Sequence, residues 1–489
     1  MKSSLTAGVL TIFGITGDLA SRKLLPALYH LLEDGLMPDS FIIMGISRRT
    51  TTVEQLIAKL NNQLVADNTP PDADLLQKFG SLINLMQLDM DNTADFARLK
   101  LELDAHEDAL GVCLNRLFYL AIPASAYGAV VDGLGNADLN TGCQHHTAQS
   151  RILLEKPFGT DLPSAKALIT RLATVFDEPQ IYRIDHYLAK ETAQNILTFR
   201  FENPIFRAIW DGRLIDHITI TASETLGVVG RAAFYEQTGA LRDLIQSHLL
   251  QLLALVTMDE PALADAKCLH EEKLKLLRSI TPMKPTEVAK FTVRGQYHTY
   301  RDESGITGST IDTYAAVRLN IDTDRWRGVP ILLRTGKAMA EKVTEISLAF
   351  HQDDNPNVPA NELVIRIQPN EGIVLSLVAK QPGHEHRTQQ VNMDFSYKSS
   401  FHGVSAPSAY ERVLADAFRG DQTLFTTSAE QLATWEIIQP ILNSWSAGQP
   451  ELLCYDAGTC GPAAADKLAS AAGVEWENDS LTNRPIHLS

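Results

Sequence analysis

Short apolar runs divide the first part of the chain, and each ends in glycine, proline or charged residues. Longer stretches with the period of amphipathic helices lie between them. A strand buried on both faces loses the alternation of polar and apolar side chains, so these runs predict a parallel sheet. The predicted strands are residues 9–13, 41–46, 82–88, 117–122 and 152–154. The pattern predicts an N-terminal α/β domain over residues 1–200.

The second part of the chain, residues 201–489, has a different pattern. A helical stretch over residues 241–256 precedes strands in which polar and apolar residues alternate, a pattern typical of an antiparallel sheet with one covered face. These strands are residues 314–321, 331–333, 346–350, 363–367 and 373–377, and amphipathic helices follow at 410–418 and 429–445. The pattern predicts an α+β C-terminal domain with a large, mainly antiparallel sheet.

Composition and charge exclude several classes of function. The 489 residues include 59 acidic and 43 basic ones, which gives a formal net charge of −16. This acidic excess argues against a broad surface for nucleic acid or for an anionic membrane, since such surfaces need clustered positive charge. No stretch approaches the ~20 apolar residues of a membrane-spanning helix. The residues before the first strand contain no basic region followed by a long apolar run, so no secretory signal is expected. We expect a cytoplasmic protein that binds neither nucleic acid nor membrane.

Cysteine and histidine positions do not predict a metal site. The five cysteines are scattered and form no CxxC pair, so their spacing supports neither a zinc site nor a disulfide scaffold. His145-His146 is interpreted as solvated sequence in a surface connection. His384-Glu385-His386 is interpreted as exposed sequence in a loop with proline and glycine.

The first predicted strand runs into GITGDLAS, residues 14–21, and then into a helical pattern. Strand, glycine turn and helix open a Rossmann-like dinucleotide-binding unit, in which Gly14 permits the tight turn and Gly17 lets main chain approach a pyrophosphate. The motif is GxxG and not GxGxxG, so the alternative is a glycine turn that only connects strand and helix and binds no ligand.

The second strand ends in Arg48-Arg49, where NAD-selective folds carry an acidic residue. A guanidinium there suits a 2′-phosphate, which favours NADP over an exposed basic turn.

The nonapeptide RIDHYLAKE, residues 183–191, holds an acid, an imidazole, a phenol and an ammonium within six positions. His186 and Lys190 are four residues apart, so a helix would present both on one face. An imidazole donor and a cation suit an anion, and phosphate is the first candidate. Asp185 is available to hold an imidazole from elsewhere in the chain, which would raise its basicity. A solvated helix start is the alternative interpretation.

Polar residues at three further places indicate a site. Lys156 follows the fifth predicted strand, and strand ends in such sheets lie near ligands. In ALRDLIQSHLL, Asp243 and His248 interrupt an apolar helix, and α-helical geometry separates them by ~140° around the axis. Lys337 and Lys342 follow a strand of the second part. The alternative for His248 is a buried core histidine whose ring nitrogens are hydrogen-bonded, and the alternative for Lys337 and Lys342 is that they are ordinary surface lysines.

Taken together and in order, these motifs closely resemble the glucose-6-phosphate dehydrogenase family. They are GITGDLA, NRLFYLAIP, EKPFG, QIYRIDHYLAKE, ALRDLIQSHLLQLLAL, VRGQY, LRTGK, NELVIRIQPNEGI and YERVLADAFRGDQTLF, and the resemblance extends from about Gly14 to Trp476. RIDHYLAKE with EKPFG upstream is highly specific, whereas the glycine turn alone is not. The resemblance implies oxidation of β-D-glucose 6-phosphate at C1 with hydride transfer to NADP, the first step of the oxidative pentose phosphate pathway.

The resemblance also implies roles for individual residues. His248 matches the base that removes the C1 hydroxyl proton, and Asp185 matches the residue that holds this base. Substrate-binding positions are matched by Lys156, His186, Tyr187, Lys190, Glu224, Asp243, Lys337, Lys342 and Gln368. Cofactor-binding positions are matched by Gly14, Ile15, Thr16, Gly17, Asp18, Leu19, Ala20, Ser21, Arg48, Asp89, Met90 and Lys156. Family members form homodimers through the large sheet, and sometimes tetramers, so a homodimer is expected.

Two other functions stay open. One is a sugar oxidoreductase of the glucose–fructose oxidoreductase type, which shares the EKP strand end. The phosphate trio His186, Tyr187 and Lys190 argues against its neutral sugar. The other is a non-catalytic, NADP-binding regulator on the same scaffold, and the presence of Asp185 and His248 argues against a decayed site.

Overall fold

The structure of the protein is a computed structural model that describes residue 5 and residues 7–142, 148–352, 355, 358–401 and 407–476. The pair His145-His146 lies outside the described residues. Within these ranges the strands form one seven-stranded and one nine-stranded sheet. No helix in the described part of the chain is long and apolar enough to cross a membrane.

The first sheet is built mainly from the first part of the chain. Its strands are β1 (Gly8–Phe13), β2 (Phe41–Ser47), β3 (Ile83–Gln87), β4 (Asn115–Leu120), β5 (Ser150–Leu154) and β6 (Ile181–Ile184). They stand in the order β6-β5-β4-β1-β2-β3, with all neighbours parallel. Leu10 and Ile12 of β1 belong to one core cluster, and Val9 and Phe13 belong to another. Both faces of the sheet are therefore covered, as the apolar runs predicted.

Helices alternate with these strands. A π-helix, Ala20–Leu24, leads into α1 (Leu25–Glu33), and α2 (Val53–Ala66), α3 (Ala73–Ser81), α4 (Thr93–Leu110), α5 (Tyr127–Asn136) and α6 (Leu162–Ala173) follow. Short 3₁₀ turns lie at Ala124–Ala126 and Glu178–Gln180. Because each helix connects two parallel strands, all the strands of this sheet from β1 to β6 end at the same edge.

The second sheet contains strands from the second part of the chain. They are β7 (Ile215–Ser223), β8 (Thr292–Tyr297), β9 (Tyr314–Leu319), β10 (Ile331–Gly336), β11 (Val343–Phe350), β12 (Glu362–Gln368), β13 (Gly372–Lys380) and β14 (Thr388–Ser396). After these, β15 (Phe425–Thr426) pairs antiparallel with β6 in the first sheet, and β16 (Leu453–Tyr455) returns to the second.

The strands of the second sheet stand in the order β14-β13-β12-β11-β7-β10-β9-β8-β16. The β7–β10 and β8–β16 pairs are parallel, and the other pairs are antiparallel. The predicted fold class, a Rossmann-like domain followed by an α+β domain with a mainly antiparallel sheet, is confirmed.

Helices of the second part pack on this sheet, and one of them returns to the first. They are α7 (Glu191–Phe201), α8 (Pro204–Ile209), α9 (Ala232–Ala240), a π-helix (Leu241–Leu249), α10 (Leu250–Thr257), α11 (Ala266–Ser279), α12 (Pro285–Phe291), α13 (Tyr300–Ser304), α14 (Tyr397–Ser400), α15 (Ala409–Arg419), α16 (Ser428–Ser446) and α17 (Ala464–Ser470). In α15, Phe418 packs edge-on against Phe41 of β2, with ring centres 4.8 Å apart. The segment with α15 and β15 therefore completes the core of the first sheet.

The predicted strands are all present, and their ends differ from the prediction by at most three residues. Six strands were not predicted, namely β6, β7, β8, β14, β15 and β16. In β14, residues 388–394 are exposed, which leaves no apolar face to detect. The prediction that a helix aligns His186 and Lys190 is wrong, since residues 186–189 form turns and α7 begins at Glu191.

Candidate active site

The glycine turn after β1 is shaped to receive a phosphate group. Gly14 has a φ of +89°, and a Cβ on it would lie 2.4 Å from the carbonyl oxygen of Ala121. The amide of Gly17 donates to the carbonyl of Gly14 (2.9 Å). Ser21 donates to the carbonyl of Gly17 from its amide (3.1 Å) and its hydroxyl (2.9 Å). These bonds fix the turn where a helix begins, and the main-chain dipoles there favour an anion.

The remaining residues of the turn differ in accessibility. Ile15 and Ala20 are buried and anchor the turn in the core, whereas Leu19 is half-buried. Asp18 is exposed and forms an ion pair with Arg22 (2.8 Å). The accessible side chains line a cleft of about 440 Å³, formed by Thr16, Asp18, Ser21, Arg22, Lys59, Asn62 and Gln63.

Two neighbouring strand ends lie beside the glycine turn. Arg48 follows β2 and is exposed, and its guanidinium forms no ion pair within the described ranges. Asp89 and Met90 follow β3, and the Asp89 carboxylate accepts the amide of Asp91 (3.2 Å). A glycine cradle for the pyrophosphate and an available guanidinium for a 2′-phosphate fit NADP.

His248 and Asp185 form a buried pair at the centre of the site. Nδ1 of His248 lies 2.6 Å from Oδ1 of Asp185, and the two side chains are 1% and 5% exposed. The amide of Tyr187 donates to the same carboxylate oxygen (2.9 Å). Because the carboxylate accepts from Nδ1, Nε2 is the nitrogen with the lone pair. Nε2 is buried and has no hydrogen-bond partner among the described residues, so it can accept a proton from a ligand.

The surroundings of this pair set its protonation. Burial lowers the pKa of His248, and the charge of Lys156 lowers it further, although Asp185 acts in the opposite direction. Burial opposes the ionisation of Asp185, but the imidazole of His248 keeps the pKa of this carboxyl below its usual value. The pair therefore consists of a neutral imidazole and a carboxylate. Tyr187 stacks on the imidazole with ring centres 4.2 Å apart, and His186 meets it edge-on at 4.7 Å.

Asp243 and His248 both reach this site because Leu241–Leu249 is a π-helix. Hydrogen bonds from i to i+5 widen the helix, so residues five apart lie closer together around its axis than in an α-helix. The prediction from α-helical geometry, which separated the two side chains by ~140° around the axis, is therefore wrong for this segment. Sequence periodicity could not reveal the change, since the apolar pattern of the segment is compatible with an ordinary helix.

Two lysines from different sheets hold the Asp243 carboxylate. Nζ of Lys156, which follows β5, lies 2.9 Å from Oδ1 and 2.9 Å from the carbonyl oxygen of Asp243. Nζ of Lys337, which follows β10, lies 3.9 Å from Oδ2 of Asp243 and pairs with Glu224 at the end of β7. Burial opposes the ionisation of Asp243, but the two ammonium groups lower its pKa far below the usual range. Lys156 thereby joins the first sheet to the π-helix.

A basic cluster lies next to the histidine pair. Nζ of Lys190 lies 2.6 Å from Oε1 of Gln368 and 6.0 Å from the centre of the Tyr187 ring. Burial lowers the pKa of Lys190, and the charge of Lys342, which is exposed, lowers it as well. Burial also lowers the pKa of His186, together with the charges of its neighbours. A tight turn, and not a helix, thus brings together the residues that the sequence predicted to bind phosphate.

Thr344 was not predicted as part of this cluster. Its hydroxyl on β11 accepts from Nε2 of Gln368 (3.1 Å) and contacts the hydroxyl of Tyr187. This bond turns Oε1 of Gln368 towards Lys190. The sequence gives only a weak indication of this role, because Thr344 is simply a polar residue near the start of an apolar strand.

The described residues contain no group of three or more His, Cys, Asp or Glu that could hold a metal ion. His384-Glu385-His386 is exposed between β13 and β14, as predicted. Cys113 is disulfide-bonded, which the cysteine spacing did not predict, whereas Cys268 and Cys454 are free thiols.

A glycine turn at the carboxyl edge of a parallel sheet, with a neutral histidine held by a carboxylate that follows another strand of the same edge, is typical of a dinucleotide-dependent dehydrogenase. Comparison with known proteins gives the family. The model of the glucose-6-phosphate dehydrogenase NAD binding domain matches residues 11–195, and the model of the C-terminal domain matches residues 197–477. The chain therefore belongs to the glucose-6-phosphate dehydrogenase family.

Relatives and solved structures agree with this assignment. The glucose-6-phosphate 1-dehydrogenase of Aggregatibacter actinomycetemcomitans is 39% identical, with 96% of this chain and 97% of the relative covered. A structure of glucose-6-phosphate dehydrogenase in complex with its substrate glucose-6-phosphate has a TM-score of 0.90 at 32% identity, and covers 97% of this chain and 100% of its own. The enzyme from Mycobacterium avium has a TM-score of 0.82 at 34% identity, with the same shares covered. The predicted family, the NADP-dependent dehydrogenase class and the cofactor are confirmed.

Proposed function

We propose that this chain oxidises β-D-glucose 6-phosphate at C1 and yields 6-phospho-D-glucono-1,5-lactone, NADPH and a proton, with His248 as the base. The observation that carries the proposal is Nε2 of His248, which is buried beside charged groups without a partner in the described part of the chain. We also propose that the reaction takes place in the cytoplasm, because sugar phosphates and dinucleotides carry charges that oppose passage across a bilayer.

His248 removes the proton of the C1 hydroxyl at Nε2 while the C1–H bond breaks. Bound NADP+ would supply the acceptor for the hydride from C1, and the electron pair of the O–H bond would then form the C1=O bond of the lactone. Asp185 stabilises the positive charge that forms on the imidazole and keeps Nε2 available, because its carboxylate accepts from Nδ1.

Different charged groups around His248 bind different parts of the substrate. Asp243 and Glu224 bind sugar hydroxyls, and their ion pairs with Lys156 and Lys337 orient these carboxylates. The phosphate-binding residues are His186, Tyr187, Lys190, Lys342 and Gln368. Support for this division is the contact of Lys190 with Gln368, which gathers a cation and an amide at one end of the site.

The glycine turn and two strand ends bind the cofactor in this proposal. Gly14, Ile15, Thr16, Gly17, Asp18, Leu19, Ala20 and Ser21 form the pyrophosphate turn, and Arg48 binds the 2′-phosphate. Asp89 and Met90 contribute at the next strand end, and Lys156 contacts both cofactor and substrate. The shared carboxyl edge of β1, β2, β3 and β5 supports this assignment, since ligands of such sheets bind there.

Reduction of NADP by the purified protein distinguishes this function from the two alternatives. We expect fast reduction with glucose 6-phosphate and at least ~100-fold lower kcat/KM with free glucose, because the phosphate contributes binding energy through charged groups. The absorbance of the reduced nicotinamide measures both rates. Equal rates with the two sugars would indicate a broader sugar oxidoreductase, and NADP binding without turnover would indicate a regulator.

His248→Ala tests the base. We expect kcat to fall by ~10²–10⁴-fold, the usual contribution of a general base, while the Kd for glucose 6-phosphate changes little. Steady-state kinetics and calorimetric titration measure the two quantities. His270→Ala is the matched control, because it removes another histidine with Nδ1 2.8 Å from a buried carboxylate, Glu430, outside the site. Parallel loss of binding and turnover in His248→Ala would mean that the histidine is structural.

Arg48→Ala tests the choice of cofactor. The variant loses a charge-assisted contact with the 2′-phosphate, so we expect KM for NADP to rise by ~10-fold or more while KM for NAD stays nearly constant. Initial rates at varied cofactor concentration measure both constants. Arg49→Ala, the neighbouring exposed arginine, is the comparison variant and should have a smaller effect. An equal rise for both cofactors would contradict the role of Arg48.

A homodimer through the second sheet is the proposed assembly. Residues 388–394 of β14, at the edge of this sheet, are exposed, and Val391 and Met393 are 40% and 62% exposed. Exposed edge strands with apolar side chains favour pairing with another chain. We expect light scattering to give a dimer, and Met393→Asp to shift it towards monomer. Leu101→Asp, on an exposed face of α4, is the control; a dimer equally resistant to both substitutions would refute this interface.

A further inference from the structure

The π-helix that carries Asp243 and His248 is held at its first residue by Asp312. Oδ2 of Asp312 accepts the amide of Leu241 (2.8 Å), and the main-chain carbonyl of Asp312 accepts the amide of Ala240 (2.8 Å). Asp312 is only 6% exposed, in the segment before β9. One residue therefore supplies two acceptors for amides that the start of a helix leaves unpaired.

The helical backbone conformation is interrupted just before this contact. Gly239, near the end of α9, has φ 66° and ψ 173°, which are not helical values. Because of this break, α9 does not continue into the π-helix, and the amides of Ala240 and Leu241 find their acceptors in Asp312. A Cβ on Gly239 would lie 2.5 Å from Oδ1 of Asp312, so the close approach requires glycine.

The residue after Asp312 positions the lysine opposite Asp243. The carbonyl of Thr313 accepts the amide of Lys337 (2.9 Å), and the carbonyl of Lys337 accepts from the hydroxyl of Tyr455 (2.7 Å). Two consecutive residues thus hold the main chain of Lys337 and the helix start that precedes Asp243, the two partners of this contact.

We infer that Asp312 is a positioning residue for hydride transfer, which fixes the π-helical register in which Asp243 meets the lysines and His248 meets Asp185. Without this anchor the segment can relax to α-helical bonding, which separates residues five apart by ~140°. One of the two contacts would then be lost. The inference rests on the proposed function, because it concerns the base and the sugar contact named there.

The ionisation of Asp312 is consistent with this role. Burial raises its pKa to about 6, and its hydrogen bond from Leu241 and the charges of Arg242 and Arg294 oppose the increase. At neutral pH the group is therefore a carboxylate, the stronger acceptor for a main-chain amide.

Asp312→Ala is expected to lower kcat for glucose 6-phosphate by ~10–100-fold, the range that small misplacements of catalytic groups produce. KM for NADP should stay within ~2-fold, because the glycine turn and Arg48 belong to the first sheet. The C1-deuterium isotope effect on kcat should rise as the chemical step becomes slower. Asp312→Asn keeps an oxygen acceptor and should restore most of kcat.

A general loss of stability would give a different result. Asp265→Ala removes the acceptor for the amide of Cys268 at the start of α11 (2.7 Å) and should lower stability without changing kcat. Asp312→Ser, with a shorter side chain, takes the place of Asp312→Ala where the alanine variant does not fold. An unchanged kcat and isotope effect in the folded variant, or equal losses in Asp312→Ala and Asp312→Asn, overturns the inference.

His248→Ala separates this inference from the proposed function. An active His248→Ala enzyme would refute the assignment of the base, and with it the role of the register. An inactive His248→Ala enzyme together with a normal Asp312→Ala enzyme would refute only the role of Asp312.

Discussion

The π-helical register of Leu241–Leu249 is the constraint on which the site depends. In this register Asp243 contacts Lys156 while His248 contacts Asp185. Lys156 and Asp185 follow β5 and β6, two adjacent strands of the first sheet. The register therefore sets both the internal geometry of the site and the way in which the π-helix of the second part meets the first sheet. π-Helical turns are rare and pack less favourably than α-helices, so their presence at a functional site is consistent with a positional requirement.

Much of the fold follows from local patterns, which is why the sequence predicts it. An apolar run, a glycine turn or a charged strand end depends on only a few neighbouring residues, so it can be recognised in the sequence. β1 with Gly14 is the clearest case. The chemistry of an imidazole base, which requires an acceptor for its other nitrogen, indicated Asp185 as an available partner. The family resemblance identified His248, 63 residues away, as the imidazole that it holds.

The features that the sequence did not predict depend on distant contacts. The π-helical register involves Asp312, 71 residues from the amide that it binds, and this contact has no local periodicity. The turn at residues 186–189 replaces a helix that the spacing allowed equally well. The return of α15 to the first sheet involves the contact of Phe418 with Phe41, which only the folded chain brings together.

An acidic chain with a net charge of −16 must bind two anionic substrates, and short-range pairing explains how it can. At physiological ionic strength, exposed charges are largely screened beyond about 8 Å, so remote carboxylates contribute little at the site. Three carboxylates around the base are already paired: Asp185 with His248, Asp243 with Lys156 and Glu224 with Lys337. Because these acids are paired, Lys190 and Lys342 can supply positive charge to the proposed phosphate site. In the proposed function, Asp243 and Glu224 also accept sugar hydroxyls, so one arrangement would serve the neutral and the charged end of the substrate.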